Sequence, residues 1–272
     1  MSHPLYEQAR TVGAGARVLL QANPGPMTLD GTNTWLLGVP NSSGVIVVDP
    51  GQRDQTHLDR LLQAAPDIAL ILLTHGHVDH AQTAAELRAR SGAPVRAADP
   101  DLCLGAEALR ADAEIDAAGV SLRVLATPGH TSDSLSFVVL SGDGAPAAVL
   151  TGDTILGRGT TVVAHPDGNL SDYLASLERL RDLGDVPVLP GHGPDLPSAF
   201  GAAEFYLSHR RERLAQVRAA LTEFGADASP RQIVERVYAD VDQAVWGAAE
   251  LNVRAQLDYL SGLGERGVPG RG

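Results

Sequence analysis

LLTHGHVDHAQT, residues 72–83, begins on the last two residues of the apolar run Ala69–Leu73 and sets His75, His77, Asp79 and His80 within six positions. Three imidazoles and a carboxylate crowded together repel one another when protonated. When neutral they are poorly satisfied unless a cation sits between them. Neutral imidazole and carboxylate are good ligands for zinc and its neighbours, so a metal resolves the conflict. From an extended loop, residues 75 and 77 aim at one point and 79 and 80 at another. The stretch therefore offers ligands to two ions.

Three more polar residues stand at turns that end apolar runs: His130 in Thr127-Pro128-Gly129-His130-Thr131, Asp153 in Thr151-Gly152-Asp153-Thr154, and His192 in Pro190-Gly191-His192-Gly193. A glycine beside each permits the sharp turn that lifts a side chain off a strand end.

Further out, short apolar runs alternate with helical patterns. Strands are expected at Thr34–Leu37, Val45–Val48, Ala69–Leu73, Val95–Ala97, Ser121–Leu125, Leu135–Leu140, Ala147–Leu150 and Pro187–Leu189. Helices are expected at Thr56–Ala64, Ala81–Arg90 and Ser171–Leu183, the last capped by Ser171. Such a mixture fits sheets covered by helices. After about Pro197 the pattern is helical only. Leu207, Leu214, Val217, Leu221 and Phe224 repeat at helical spacing up to Gly225, and Ser229-Pro230-Arg231-Gln232 reads as a capping box opening a helix through about Tyr238. A third helix is expected from about Gln243 to Leu260, then a glycine-rich tail. The expected division is a catalytic domain over residues 1–200 and a helical domain over 201–272.

All 21 basic residues of the 272 are arginine, against 33 acidic ones, giving a net charge of −12. An acidic surface works against diffuse binding to nucleic acid or anionic lipid. The single cysteine, Cys103, makes no disulfide within the chain. With no leader pattern and no apolar run long enough to span a bilayer, the expectation is a soluble cytoplasmic protein without a membrane partner.

Taken in order, H-x-H-x-D-H, Gly-His-Thr, Gly-Asp-Thr and Gly-His-Gly resemble the metallo-β-lactamase superfamily over residues of about 17–200. The resemblance implies an α+β fold, a four-layer αββα sandwich with the site along one edge of its sheets. It implies that His75, His77 and His130 hold one metal, that Asp79, His80 and His192 hold a second, and that Asp153 bridges them. Zinc is the first expectation for the two divalent ions, with iron and manganese as alternatives. A finer resemblance is to the lactamase-beta-like branch, carried by Asn23–Thr34, Gly152–Thr161 and Tyr206–Arg211. That branch includes endoribonucleases cutting single-stranded RNA and hydrolases similar to thioester-cleaving glyoxalase II, and its C-terminal domain is winged-helix-like. Helical tails of this kind cover the site edge, which is the expectation here, or form a homodimer contact.

A closed structural zinc site uses four ligands, usually with cysteine, whereas seven nitrogen and oxygen ligands shared by two ions leave positions open for water and substrate. Water between two dications ionises near neutral pH, giving a hydroxide beside a Lewis acid. Asp79 is then placed to orient that hydroxide or to carry its proton. Arg158 is a candidate clamp for a substrate carboxylate or phosphate, and His165 and Tyr173 are further candidates for substrate contact. The leading expectation is a hydrolase of a small ester, thioester, lactone or β-lactam. The absence of lysine argues against glyoxalase II itself. Single-stranded RNA is the second substrate class, although Arg210, Arg211 and Arg213 read as the exposed face of a helix that also carries Glu204 and Glu212, and no aromatic-rich basic stripe accompanies them. An iron-dependent persulfide dioxygenase is a third reading, distinguished by metal content. A nucleic-acid-binding protein working through its tail is a fourth.

Overall fold

The computed structural model describes residues 3–39 and 44–265. Among the described residues, eleven strands form two sheets. The first runs in the order β1 (Arg10–Thr11), β2 (Arg17–Leu20), β3 (Asn33–Leu37), β4 (Val45–Val48), β5 (Ile68–Leu72), β6 (Val95–Arg96). The second runs β11 (Val188–Pro190), β10 (Pro146–Gly152), β9 (Leu135–Leu140), β8 (Val120–Ala126), β7 (Glu114–Ala117). Strands β4, β5 and β6 are parallel, as are β10 and β11.

Period-two alternation explains why these runs are apolar throughout. On β4, Ile46 and Val48 face the second sheet, joining Trp35, Leu72, Leu122, Phe137 and Leu150 in the core between sheets. Val47 faces outward onto Leu58 and Leu61 of α1 (Gln55–Ala64) and Leu87 of α3 (Ala84–Ser91). On β9, Phe137 points inward while Val138 packs with Leu177 and Leu180 of α4 (Leu170–Arg181). The result is the four-layer αββα sandwich expected from the sequence.

Three local expectations need correction. Helix α4 is capped by Asn169, whose side chain accepts from Asp172 N, so Ser171 lies inside the first turn. The helix expected over Ala81–Arg90 is split between α2 (Val78–Ala81) and α3, because Thr83 N donates to Gly51 O at 3.0 Å rather than continuing the helical ladder. The short edge strands β1 and β7 and the apolar β2 were not anticipated. Glu114–Ala117 alternates charged residues with Ile115 and Ala117, a period-two pattern too short to stand out beside its polar flanks.

The C-terminal segment is helical: α5 (Ala199–Phe224), α6 (Pro230–Val237) and α7 (Trp246–Gly262), with Gln243–Val245 forming a 3-10 turn before α7. Gly225 ends α5, and the Ser229–Gln232 capping box opens α6 as the sequence indicates. These helices share one apolar core with α4 and the outer faces of β9 and β10. The end of the glycine-rich tail lies outside the described residues. No helix among the described residues is long and apolar enough to cross a membrane.

Candidate metal centre

Four strands end at one edge of the sandwich, and the segment after each carries site residues. After β5 come Thr74 to His77 and then α2, whose short turn carries Asp79 and His80. His130 follows β8, Asp153 follows β10 and His192 follows β11. Backbone packs tightly there. A Cβ on Gly191 would lie 2.6 Å from Asp153 Oδ1 and 2.7 Å from His80 Cε1, so only glycine admits the chain at that point.

All seven residues converge. His75 Nε2 and His77 Nδ1 are 3.0 Å apart, and His77 Nδ1 and His130 Nε2 are 3.1 Å apart. In the second group, His192 Nε2 lies 3.1 Å from Asp79 Oδ2 and 3.2 Å from His80 Nε2. Asp153 reaches both groups, with Oδ2 3.7 Å from His130 Nε2 and 3.4 Å from His192 Nε2, and Oδ1 3.4 Å from His80 Nε2.

In four of the five imidazoles the ring nitrogen facing away from the centre is occupied. His75 Nδ1 meets Thr74 Oγ1 at 3.0 Å, His80 Nδ1 meets Asp49 Oδ2 at 2.9 Å, His130 Nδ1 meets Val162 O at 2.6 Å, and His192 Nδ1 meets Gly31 O at 3.1 Å. Donation on these outer nitrogens leaves the Nε2 lone pairs aimed inward, the orientation that ligating imidazoles require.

Charge within the cluster is divided. Burial, reinforced by the neighbouring His80, holds His75 well below its usual pKa, and burial lowers His130 as well. Burial also opposes charge on His80 and His192, yet Asp153 outweighs it in both, aided by Asp49 at His80. His80 is driven well above its usual value and His192 up to about 9. Asp153 lies well below the usual carboxylate range, burial being overcome by His192 and His80. Its Oδ1 is buried with no hydrogen-bond partner. Ring nitrogens turned inward at about 3 Å from one another and a buried carboxylate oxygen with no hydrogen bond form a donor set that fits two divalent cations, which would displace the protons held on His80 and His192.

Asp49 was missed in the sequence. It ends β4 in a left-handed conformation (φ 54°), and Oδ1 accepts from Thr74 N at 2.8 Å while Oδ2 accepts from Thr74 Oγ1 at 2.7 Å. Its only sequence signal is a polar residue at the end of a buried strand, the same signal that marks the ligands.

The substrate candidates fare differently. Arg158 borders a cavity of about 220 Å³ that ends on His130 and Asp153, but its guanidinium makes a bidentate pair with Asp30. It latches the Gly25–Gly31 segment instead of presenting a free clamp. His165 is tied to Asp258 of α7 at 2.8 Å, and neither residue borders that cavity. Tyr173 is fully buried and its hydroxyl donates to Thr154 O at 2.7 Å, so it supports the site from within the core and does not contact substrate. The expected arginine face also changes. Arg210 is buried, donating to Thr161 O and to Asn252 Oδ1 and lying over the Tyr173 ring, and Arg213 stacks on Tyr238. Only Arg211 of the three is fully exposed.

Residues 27–192 match the family model of the metallo-beta-lactamase superfamily, and residues 229–264 match that of the beta-lactamase associated winged helix domain. The chain is 33% identical over 267 residues to the beta-lactamase-like protein 2 homolog of Drosophila melanogaster, covering 91% of this chain and 88% of that protein. It is 32% identical to the atrochrysone carboxyl ACP thioesterase of Passalora fulva over 76% of this chain and 62% of that protein. A beta-lactamase domain protein from Burkholderia ambifaria superimposes with a TM-score of 0.82 at 23% identity, covering 97% of this chain and 90% of that one. The chain belongs to the metallo-beta-lactamase superfamily and is one of its hydrolases.

Proposed function

We propose that this protein is a two-metal hydrolase of a small ester, thioester, lactone or β-lactam, with zinc as the metal. One observation carries the reading: Asp153 stands between the His75/His77/His130 group and the Asp79/His80/His192 group, its buried Oδ1 lacking a donor. When bound, a pair of divalent cations supplies Lewis acidity and a water ionised near neutral pH.

The chain supplies the rest. Asp79, partly exposed beside His192, is the carboxylate positioned to take a proton from the attacking water and return it to the leaving group. Asp153 holds the two groups in register, and the outer hydrogen bonds fix the rings of His75, His80, His130 and His192. Around His77 the rim carries Asp99, Asp133 and Asp167, an acidic border that repels a polyphosphate chain more than a small neutral substrate. The thioesterase relative supports an acyl substrate, and a thioester is the first to test.

The test combines elemental analysis with a panel of thioesters, lactones and β-lactams and a single-stranded RNA, each with and without chelator. The expected result is about two zinc ions per chain and chelator-sensitive cleavage of a member of the small panel, lost in Asp79→Ala. Cleavage of RNA alone would overturn it, as would one iron per chain with oxygen uptake.

A further inference from the structure

The cavity beside the metal centre has two faces of different origin. One is the catalytic layer: Leu29 of the latched segment and Leu156 just after β10. The other belongs to the C-terminal helical segment: Val245 of the 3-10 turn, and Ala248 and Ala249 at the start of α7. Met27, about half exposed, stands at the mouth. His130 and Asp153 close the inner end.

We infer that this cavity is the binding slot for the acyl group of the substrate, that it takes an uncharged apolar acyl chain, and that Ala248 and Ala249 set its depth. The inference rests on the proposed hydrolase reading and adds the chemical class of the group recognised.

Three features carry it. The two faces meet the slot mainly with apolar side chains, its other polar lining, Thr160, Thr161 and Asn252, is uncharged, and the one charged side chain beside it besides the site residues, Arg158, is already neutralised by Asp30. An acyl group bearing a carboxylate would find no unpaired cation there and would lose its hydration, so the slot selects against it. Next, the size is small: about 220 Å³ accommodates about seven non-hydrogen atoms if each takes roughly the 30 Å³ of a water molecule. Last, the wall from α7 is fixed to the catalytic layer. Asn252 Oδ1 accepts from Val163 N at 2.9 Å and from Arg210 Nη1 at 3.3 Å, while Arg210 also donates to Thr161 O. Residues 161–163 are the same segment whose Val162 carbonyl orients His130. A chain seated in the slot therefore has its carbonyl end directed at the metal centre by a wall that does not move independently of it. Alanine at 248 and 249 leaves the space that a larger residue would fill.

The test uses thioesters of N-acetylcysteamine from acetyl to dodecanoyl, with the matching non-hydrolysable 2-oxoalkyl thioethers for calorimetric titration of the intact protein. In the wild type, both kcat/KM and affinity are expected to rise with length to about six carbons and then level off or fall, since one methylene in such a pocket is worth about 10-fold or more. Ala248→Phe is expected to lower the hexanoyl-to-acetyl ratio of kcat/KM at least about 10-fold, with melting temperature and metal content as the controls for folding. Met27→Ala, at an exposed position, should move the optimum to longer chains. Length profiles that are the same in the wild type and both variants would overturn the slot. If no thioester is cleaved by metal-replete protein, the thioester form of the hydrolase reading fails, and the calorimetric length dependence still decides the slot by itself.

Discussion

Asp49 and His80 are joined by a 2.9 Å hydrogen bond from Nδ1 to Oδ2, and through Thr74 the same carboxylate also supports His75. A single buried carboxylate thus orients one ring of each of the two candidate metal groups without reaching any nitrogen that faces the centre. Asp49→Asn keeps the shape but removes the charge and presents an amide where two donors converge. Substitution of such outer-shell partners typically weakens metal binding by about 10–100-fold, and we expect a loss in that range on chelator titration. Metal retention equal to wild type would show that Asp49 serves the fold alone.

Arg158 and Asp30 give a prediction that separates two roles. If the pair is a latch for residues 25–31, Asp30→Ala and Arg158→Ala should both loosen the segment and raise KM in the same direction. If Arg158 clamps substrate, Asp30→Ala frees the guanidinium and should lower KM for a carboxylate-bearing substrate. We expect the first outcome. Because both side chains are substantially exposed, the change in stability should stay within about 1 kcal/mol.

Arg210 ties the C-terminal helices to the catalytic layer through Thr161 O and Asn252. Hydrogen bonds from a charged donor are worth about 1.5–3 kcal/mol each when lost from a buried position. Arg210→Met should therefore destabilise by about 3 kcal/mol in urea unfolding and weaken metal retention through the 161–163 segment, whereas Arg211→Ala at the exposed neighbour should do neither. Equal behaviour of the two variants would argue against the coupling.

What the sequence revealed and what it hid follow from the same physics. The seven site residues were legible because a costly polar side chain after a buried apolar strand demands a reason, and all seven stand either in one dense loop or beside a glycine turn. Asp49 carries the first half of that signal, but Asp49-Pro50-Gly51 reads equally well as an ordinary turn. Arg210 was hidden by its arginine neighbours, although its position, three after Leu207 and four before Leu214, sets it on the apolar face of α5. Tyr173 and Arg158 were legible as side chains close to the site, yet not in their direction: one turns into the core and the other toward Asp30. Periodicity reports which face a residue occupies, whereas the partner it meets depends on distant segments.

His209 supplies a prediction for pH. Burial, then the positive charges of Arg210 and Arg213, push its imidazole down to about 4, and its Nδ1 is buried without a hydrogen-bond partner. In the unfolded chain the same group titrates near about 6.5. Between these values the unfolded state binds more protons than the folded one, so stability falls as pH drops from about 6.5 toward 4 and is fully present above that window. His209→Gln removes this component while leaving the metal-site histidines to titrate as before. Urea unfolding at neutral and mildly acidic pH should then show a smaller acid loss in the variant than in the wild type. Parallel losses in the two proteins would mean that His209 is hydrated in the folded state and does not oppose its own protonation.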